Sequence, residues 1–243
     1  MGEVWHAPSK EFFSTLSSSD QRDLFALGEK RGFEKDEMIF HVGSPSDDIY
    51  ILLDGRVKIY ELSRDGKELI LWFCFPGELF GLAEVVKRKF REVNAQACSH
   101  VEILVIKHAD FERFLYGHPA VAMNVISLLS SRLRELSDVL LNLASDDVTS
   151  RVIKLITRLS ARYGKPFENG IYLDIPLTHQ EMADMIGTSR QTVTTVLGNL
   201  RRKGILRTEQ RNIYIQNSEW LESFAGKADR PRSHRNTNVT KIA

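Results

Sequence analysis

Between Thr178 and Lys203 the apolar positions recur with the period of two short helices. Thr178 and Glu181 have the Thr-x-x-Glu spacing of a capping box, in which side chain and backbone satisfy each other's orphan donors at a helix start. Met182, Ala183, Met185 and Ile186 give that helix an apolar stripe, and Gly187 tolerates the positive φ of a sharp turn. Thr188 and Gln191 repeat the capping spacing, and Val193, Val196, Leu197 and Leu200 then mark the buried side of a second helix. Two short helices joined by a glycine turn predict a helix-turn-helix. The run Ile205 to Ile215 reads as a hairpin with its tip near Glu209 to Asn212, which makes a winged variant.

Nearer the N-terminus the period changes. Pro8 to Leu16 and Ser19 to Arg31 read as short packing helices. From Asp36 the pattern predicts strands over Glu37-Phe40, Asp48-Leu53, Arg56-Leu62, Lys67-Phe75, Glu92-Ala97 and Val101-Ile106. Gly43-Ser44-Pro45, Asp54-Gly55, Asp65-Gly66 and Pro76-Gly77 punctuate them. Many short strands with glycine turns argue for an antiparallel sandwich or barrel.

A helix over His108 to Tyr116 is followed by a break at Gly117-His118-Pro119 and then by a long helix. In it Ala122, Ile126, Leu129, Leu133, Leu136, Leu140 and Leu143 recur at alternating four- and three-residue steps, the spacing of a coiled-coil seam. Val125, Leu128, Val139 and Leu141 form a second apolar edge, expected to lie against the strand domain. A helix with two apolar edges has two surfaces to cover, one from its own chain and one from a second copy. Ala144 to Asp147 interrupts the seam as a candidate hinge, with Ser145 or Asp146 expected to cap a helix from Val148 to Tyr163. Gly164 to Gly170 reads as a loop and Ile171-Ile175 as a short strand. The segmentation is therefore α+β: a strand domain over 1–119, a dimerisation helix over 120–144, a winged helix-turn-helix over 145–224 and a basic tail, expected to be disordered, over 225–243.

The 243 residues, 42% of them apolar, can bury a full core, and the formal net charge of +1 says little until it is divided along the chain. Residues 146–243 carry 16 Lys and Arg against 10 Asp and Glu, whereas residues 1–145 carry 17 against 22. The basic excess lies where the helix-turn-helix lies, as nucleic-acid binding by that half requires. On the second helix Arg190, Gln191 and Thr195 are placed to read base edges, since Arg pairs with guanine, Gln with adenine and the threonine methyl touches thymine. Thr178, Ser189, Arg201, Arg202 and Arg211 are the expected phosphate contacts.

No apolar run reaches the roughly 20 residues of a membrane span, and the N-terminus lacks the layout of a signal peptide, so no membrane partner and a cytoplasmic protein are expected. Two cysteines, Cys74 and Cys98, are too few for a disulfide framework and lack metal-ligand spacing. No Ser-His-Asp, paired-carboxylate or phosphate-loop constellation points to an enzyme.

The order of strand domain, long helix and winged helix-turn-helix resembles the CRP/FNR family of bacterial transcription regulators over about residues 10–220. Three stretches carry the resemblance: FEKDEMIFHVGSPSDDIYILLDGRVKIY at 33–60, PGELFGLAE at 76–84 and TSRQTV at 188–193. The resemblance implies a jelly-roll β-barrel like that of cyclic-nucleotide-binding domains, and a homodimer that binds a two-fold symmetric operator in double-stranded DNA and recruits or blocks RNA polymerase. It places the effector site at Gly81, Leu82, Ala83, Arg91 and Glu92. Cyclic-AMP-binding members use a glutamate after the cassette glycine and an Arg-Ser pair beyond it; here Leu82 and Arg91-Glu92 stand in those places. Losing an acceptor and adding a negative charge each costs about 1–3 kcal/mol, which argues against cyclic AMP unless a shifted register uses Glu84. Arg91, with Lys87, Arg88 and Lys89, would serve a carboxylate or phosphate metabolite, or else the four form a solvated loop.

FNR-type members hold an iron–sulfur cluster through N-terminal cysteines, and no cysteine precedes Cys74, so that cluster is not expected. Haem ligation would have to draw on Cys74, His41, His100 or His118. On the base-reading helix, Gln191 and Thr195 replace the last two members of the family's Arg-Glu-Arg set, so a different operator is implied. The expected function is a homodimeric, sequence-specific regulator gated by a small effector other than cyclic AMP. The alternatives are a ligand-independent regulator with a degenerate pocket, a haem-dependent gas or redox sensor, and a regulatory module of an enzyme or channel.

Overall fold

The computed structural model describes residues 12–83, 90–168, 170–209 and 212–228. A 3-10 turn, Phe12–Thr15, and helix α1, Ser18–Ala26, precede eight strands: β1 (Gly28–Phe33), β2 (Met38–Phe40), β3 (Asp48–Asp54), β4 (Val57–Leu62), β5 (Glu68–Cys74), β6 (Leu79–Phe80), β7 (Asn94–Ala97) and β8 (Val101–Lys107). They form two separate four-stranded antiparallel sheets, β1-β8-β3-β6 and β2-β7-β4-β5. The strand domain is thus a double-sheet jelly roll and not a closed barrel. Phe40, Leu52, Ile59, Phe80 and Ile103, from both sheets, are buried together in one cluster. Asp65-Gly66 makes the expected hairpin between β4 and β5, with Gly66 at φ 78°.

Two assignments in this half change. Gly28 to Arg31 is strand β1, not the end of a helix, because pairing with β8 from Gly28↔Ile106 to Phe33↔Val101 outweighs the local helical pattern. The two-residue strand β6, pairing Leu79 with Ile51, is too short to show a period.

Helix α2, His108–Gly117, leads to α3, Pro119–Ser145, a 27-residue helix about 40 Å long at 1.5 Å per residue. Val121 and Val125 pack it against the first sheet. Leu141 is 64% exposed and does not join that edge. Helix α4, Val148–Tyr163, has the expected bounds, but its cap is Asp147, whose side chain accepts from the Ser150 amide at 2.8 Å. The segment expected as a loop is strand β9, Gly164–Phe167, paired with β10, Gly170–Leu173.

Helices α5, His179–Ile186, and α6, Arg190–Arg202, are followed by β11, Leu206–Glu209, and β12, Asn212–Ile215. The β11-β12 wing hairpin continues through β10 to β9 as one four-stranded sheet. Helix α7, Ser218–Ala228, takes in Ala225 to Ala228, which composition had assigned to the tail; the remainder of that tail, 229–243, lies outside the described residues. Leu155 and Ile156 of α4, Met182, Val193, Leu197 and Leu221 build the core of this head. Tyr60, Ile70 and Phe73 of the second sheet are buried in the same cluster, so the head is seated on the strand domain.

Candidate nucleic-acid interface and effector cassette

Helix α5 opens with the predicted capping box: Thr178 Oγ1 accepts from the Glu181 amide at 3.1 Å and Glu181 Oε2 accepts from the Thr178 amide at 2.7 Å. It ends at Gly187, whose φ of 63° and ψ of 50° are left-handed, the conformation glycine adopts without a Cβ penalty. The next cap is Ser189, not Thr188. Its Oγ accepts from the Thr192 amide at 3.1 Å, so the second capping box does not form and α6 begins at Arg190.

Val193, Val196, Leu197 and Leu200 are buried, and the opposite face of α6 exposes Arg190, Gln191, Thr194, Thr195 and Asn199, continuing into Arg201 and Arg202. Thr195 Oγ1 donates to the Gln191 carbonyl at 3.0 Å and Thr194 Oγ1 to the Arg190 carbonyl at 2.9 Å. With their hydroxyls turned back on the helix, these threonines leave their methyl groups for contact, the part that meets a thymine methyl. A cleft of about 480 Å³ separates the starts of both helices from the wing and is lined by Thr178, His179, Gln180, Arg190, Thr208 and Glu209. Arg211, the expected wing contact, lies outside the described residues.

His179 is a residue the sequence reading passed over. Its Nδ1 lies 2.8 Å from Thr194 Oγ1 and ties the start of α5 to α6. Burial, and then the charge of Arg190, hold its imidazole below the ordinary range and favour the uncharged ring. Only its place directly after the cap Thr178 signalled it.

The seam of α3 is solvent-facing along its length. Ile126 is 53% exposed, Leu133 66% and Leu140 68%, with Leu129, Leu136 and Leu143 also exposed. Met123, exposed near the same end, was not part of the heptad reading.

The effector cassette is arranged differently from the expectation. Gly81 has φ 76°, and a Cβ there would come within 2.9 Å of the Tyr50 ring and 3.1 Å of Arg91 Nη1. Arg91 is not a loop cation: it is 1% exposed, donates through Nη1 to the Gly81 carbonyl at 3.0 Å and through Nη2 to the Asp48 carbonyl, and lies 4.4 Å over the Phe40 ring. Glu92 is exposed, so the carboxylate expected to repel a phosphate lies outside the buried space that holds Arg91. Leu82 is buried and Ala83 exposed, and neither side chain offers an acceptor. Glu84, Lys87, Arg88 and Lys89 lie outside the described residues.

The haem-ligand candidates are dispersed. His118 stacks on Phe114 and contacts its carbonyl at 2.9 Å, His41 and His100 are exposed on turns, and Cys74 is buried. Among the described residues no group of three or more His, Cys, Asp or Glu could hold a metal ion. No helix among them is long and apolar enough to cross a membrane.

Cys74 and the Ala97-Cys98 step flank β4 on opposite sides, where Val57 pairs with both Cys74 and Ala97. Two strand spacings, about 9.5 Å, exceed disulfide reach. Burial pushes the Cys74 thiol up to about 12 and raises that of Cys98. Iodoacetamide at pH 7.5 should therefore alkylate the native protein at least about tenfold more slowly than the unfolded chain, because the thiolate is the nucleophile. Mass spectrometry of timed aliquots reads this, and rapid native labelling of either cysteine would contradict it.

Residues 30–118 match the family described as "Cyclic nucleotide-binding domain", and residues 150–224 the one described as "Crp-like helix-turn-helix domain". The chain is 31% identical over 187 residues to the global nitrogen regulator of Synechocystis sp., covering 76% of this chain and 83% of that protein. It is 29% identical over 223 residues to the cyclic AMP receptor protein of Thermus thermophilus, covering 91% and 96%. Its fold is similar to those of FixK2 from Bradyrhizobium japonicum, at TM-score 0.72 and 24% identity over 81% of this chain and 96% of that one, and of a CooA mutant from Carboxydothermus hydrogenoformans, at 0.75 and 23% over 90% and 96%.

Proposed function

The chain belongs to the CRP/FNR family of transcription regulators, and from that premise we propose that it acts as a homodimer whose two α6 helices read a two-fold symmetric operator. The observation that carries this reading is the composition of α6: four buried apolar residues fix it to the head, and Arg190, Gln191 and Thr195 stand exposed at its start, beside a cleft at the amide ends of two helices. A recognition helix reads base edges with its N-terminal residues. Thr178 and Ser189 place hydroxyls at the starts of α5 and α6 for phosphate, and Arg201 and Arg202 add charge.

The dimer forms by pairing of the exposed seam Ile126, Leu129, Leu133, Leu136, Leu140 and Leu143 with its copy. That pairing aligns two heads on successive major grooves. RNA polymerase is the partner the bound dimer recruits or blocks.

The effector is an anion other than cyclic AMP, held in the cassette around Gly81 and Arg91. Leu82 has no acceptor for a ribose hydroxyl, whereas the buried Arg91 guanidinium is held against Gly81 and supplies the charge. The Thermus relative is named for cyclic AMP and the Synechocystis relative for nitrogen regulation, so relatives of this chain differ in the signal they are named for.

Selection of bound sequences from a random DNA pool, followed by footprinting, tests the DNA reading. A palindrome with half-sites about 10 base pairs apart is expected; enrichment of no sequence would refute it. Removing small molecules by denaturation and refolding is expected to change operator affinity, and mass spectrometry of the released fraction would identify the anion. Affinity unchanged by stripping would favour a regulator without a ligand.

A further inference from the structure

Four consecutive residues, Glu78 to Gly81, are held by three arginines from three parts of the fold. Glu78, 4% exposed, pairs through Oε1 with Arg162 Nη2 of α4, and Arg162 Nη1 also lies 3.5 Å from Glu135 of α3. One residue on, the Leu79 carbonyl accepts from Arg132 of α3 at 2.8 Å. The Gly81 carbonyl accepts from Arg91 at 3.0 Å. The head, the long helix and the candidate effector cassette therefore meet on one short stretch of backbone.

The Glu78–Arg162 contact is shielded from solvent. Phe75 packs against Tyr163 beside it, the ring centroids 4.5 Å apart and the planes tilted by 45°. Burial opposes the charge on Arg162, yet Glu78, Tyr163 and Glu135 together hold its guanidinium above the ordinary range. Breaking one partner of such a pair leaves an uncompensated buried charge, so the two groups move together or separate at high cost. A second ion pair between head and strand domain, Arg56 with Glu181 at 2.7 Å, involves none of residues 78–81.

We propose that Glu78 is a positioning residue for the reading head, the group through which displacement of the Glu78–Gly81 segment is passed to α4. A ligand shifts such an equilibrium only if it favours one placement of that segment, and Glu78 ties the placement to the head. The inference rests on the DNA-reading role proposed above, so its first readout is made without DNA.

In the whole 243-residue chain, Glu78→Gln removes the charge and preserves side-chain size. Hydrogen exchange is expected to rise several-fold in residues 70–75 and 160–163, and to stay unchanged in β8 and α2. Gly81→Ala serves as a ligand-free perturbation of the cassette, because its Cβ would press on Tyr50 and Arg91. It is expected to alter exchange in residues 160–163, and Glu78→Gln should remove more than half of that alteration, whereas Glu181→Gln should not. Should Gly81→Ala not fold, Arg91→Lys perturbs the cassette instead by loosening the guanidinium's hold on the Gly81 carbonyl. Additive effects of the cassette change and Glu78→Gln, or a cassette change that leaves residues 160–163 untouched, would overturn the proposal. Operator affinity is measured second; a protein that selects no operator refutes the DNA reading while the exchange result still decides the coupling.

Discussion

Replacing Leu133 and Leu140 together by glutamate is expected to yield folded monomers that bind the operator about 10²–10⁴-fold more weakly than the parent, the range by which linking two binding modules raises affinity. Both side chains are more than 60% exposed in the single chain, so their loss removes nothing from its core. Charge placed on a coiled-coil seam is costly only when the seam is paired. The monomer should therefore keep its helix content, with a thermal transition lowered only by the lost stabilisation of dimerisation, while sedimentation equilibrium reports half the parent mass. A variant that stays dimeric, or a monomer that binds the operator as tightly as the parent, would show that this seam is not the interface.

Arg190→Ala is the second large effect. A bidentate contact to guanine is worth about 1–3 kcal/mol of discrimination, so operator affinity should fall roughly 5- to 150-fold while affinity for random duplex changes little. The residue is exposed at the first turn of α6, and alanine is a good helix former, so stability should not suffer. The paired control is Arg201→Ala, which should weaken both kinds of DNA alike and flatten the salt dependence, as loss of a phosphate contact does. Equal losses on operator and random DNA for Arg190→Ala would assign it to the backbone and leave base reading to Gln191 and Thr195.

What could be read from the chain before its fold was known follows the range of the forces involved. The Thr178 and Glu181 capping box, the left-handed Gly187 and the bounds of α4 are fixed by interactions within a few residues, and all three are as expected. The heptad seam is likewise local in pattern, and its exposure agrees with a surface reserved for a partner. The failures are non-local. Strand β1 exists because β8, some 70 residues away, pairs with it, and the β9-β10 hairpin is held in a sheet by β12, some 40 residues further on. Ser189 displaces Thr188 as the cap because the turn after Gly187 needs one more residue, a detail that spacing alone does not set.

The cassette shows the same division. That Leu82 offers no side-chain acceptor follows from residue identity alone. That Arg91 is buried against Phe40 and the Gly81 carbonyl, and that Glu92 is not beside it in the same space, depends on the folding of two sheets around them. The pairing of Glu78 with Arg162 joins residues 84 positions apart, and neither carries a local signal of the other.

The seating of the head on the second sheet has a consequence for anyone shortening this protein. Tyr60, Ile70 and Phe73 are covered by the head's own core, and β5, which carries the last two, is a terminal strand of its sheet. Cutting the chain after α3 would leave those rings and branched chains facing water along an unpaired margin, a template for sticking to other copies. The strand domain with α3, expressed by itself, should therefore precipitate or form irregular assemblies unless polar residues are substituted on that strip.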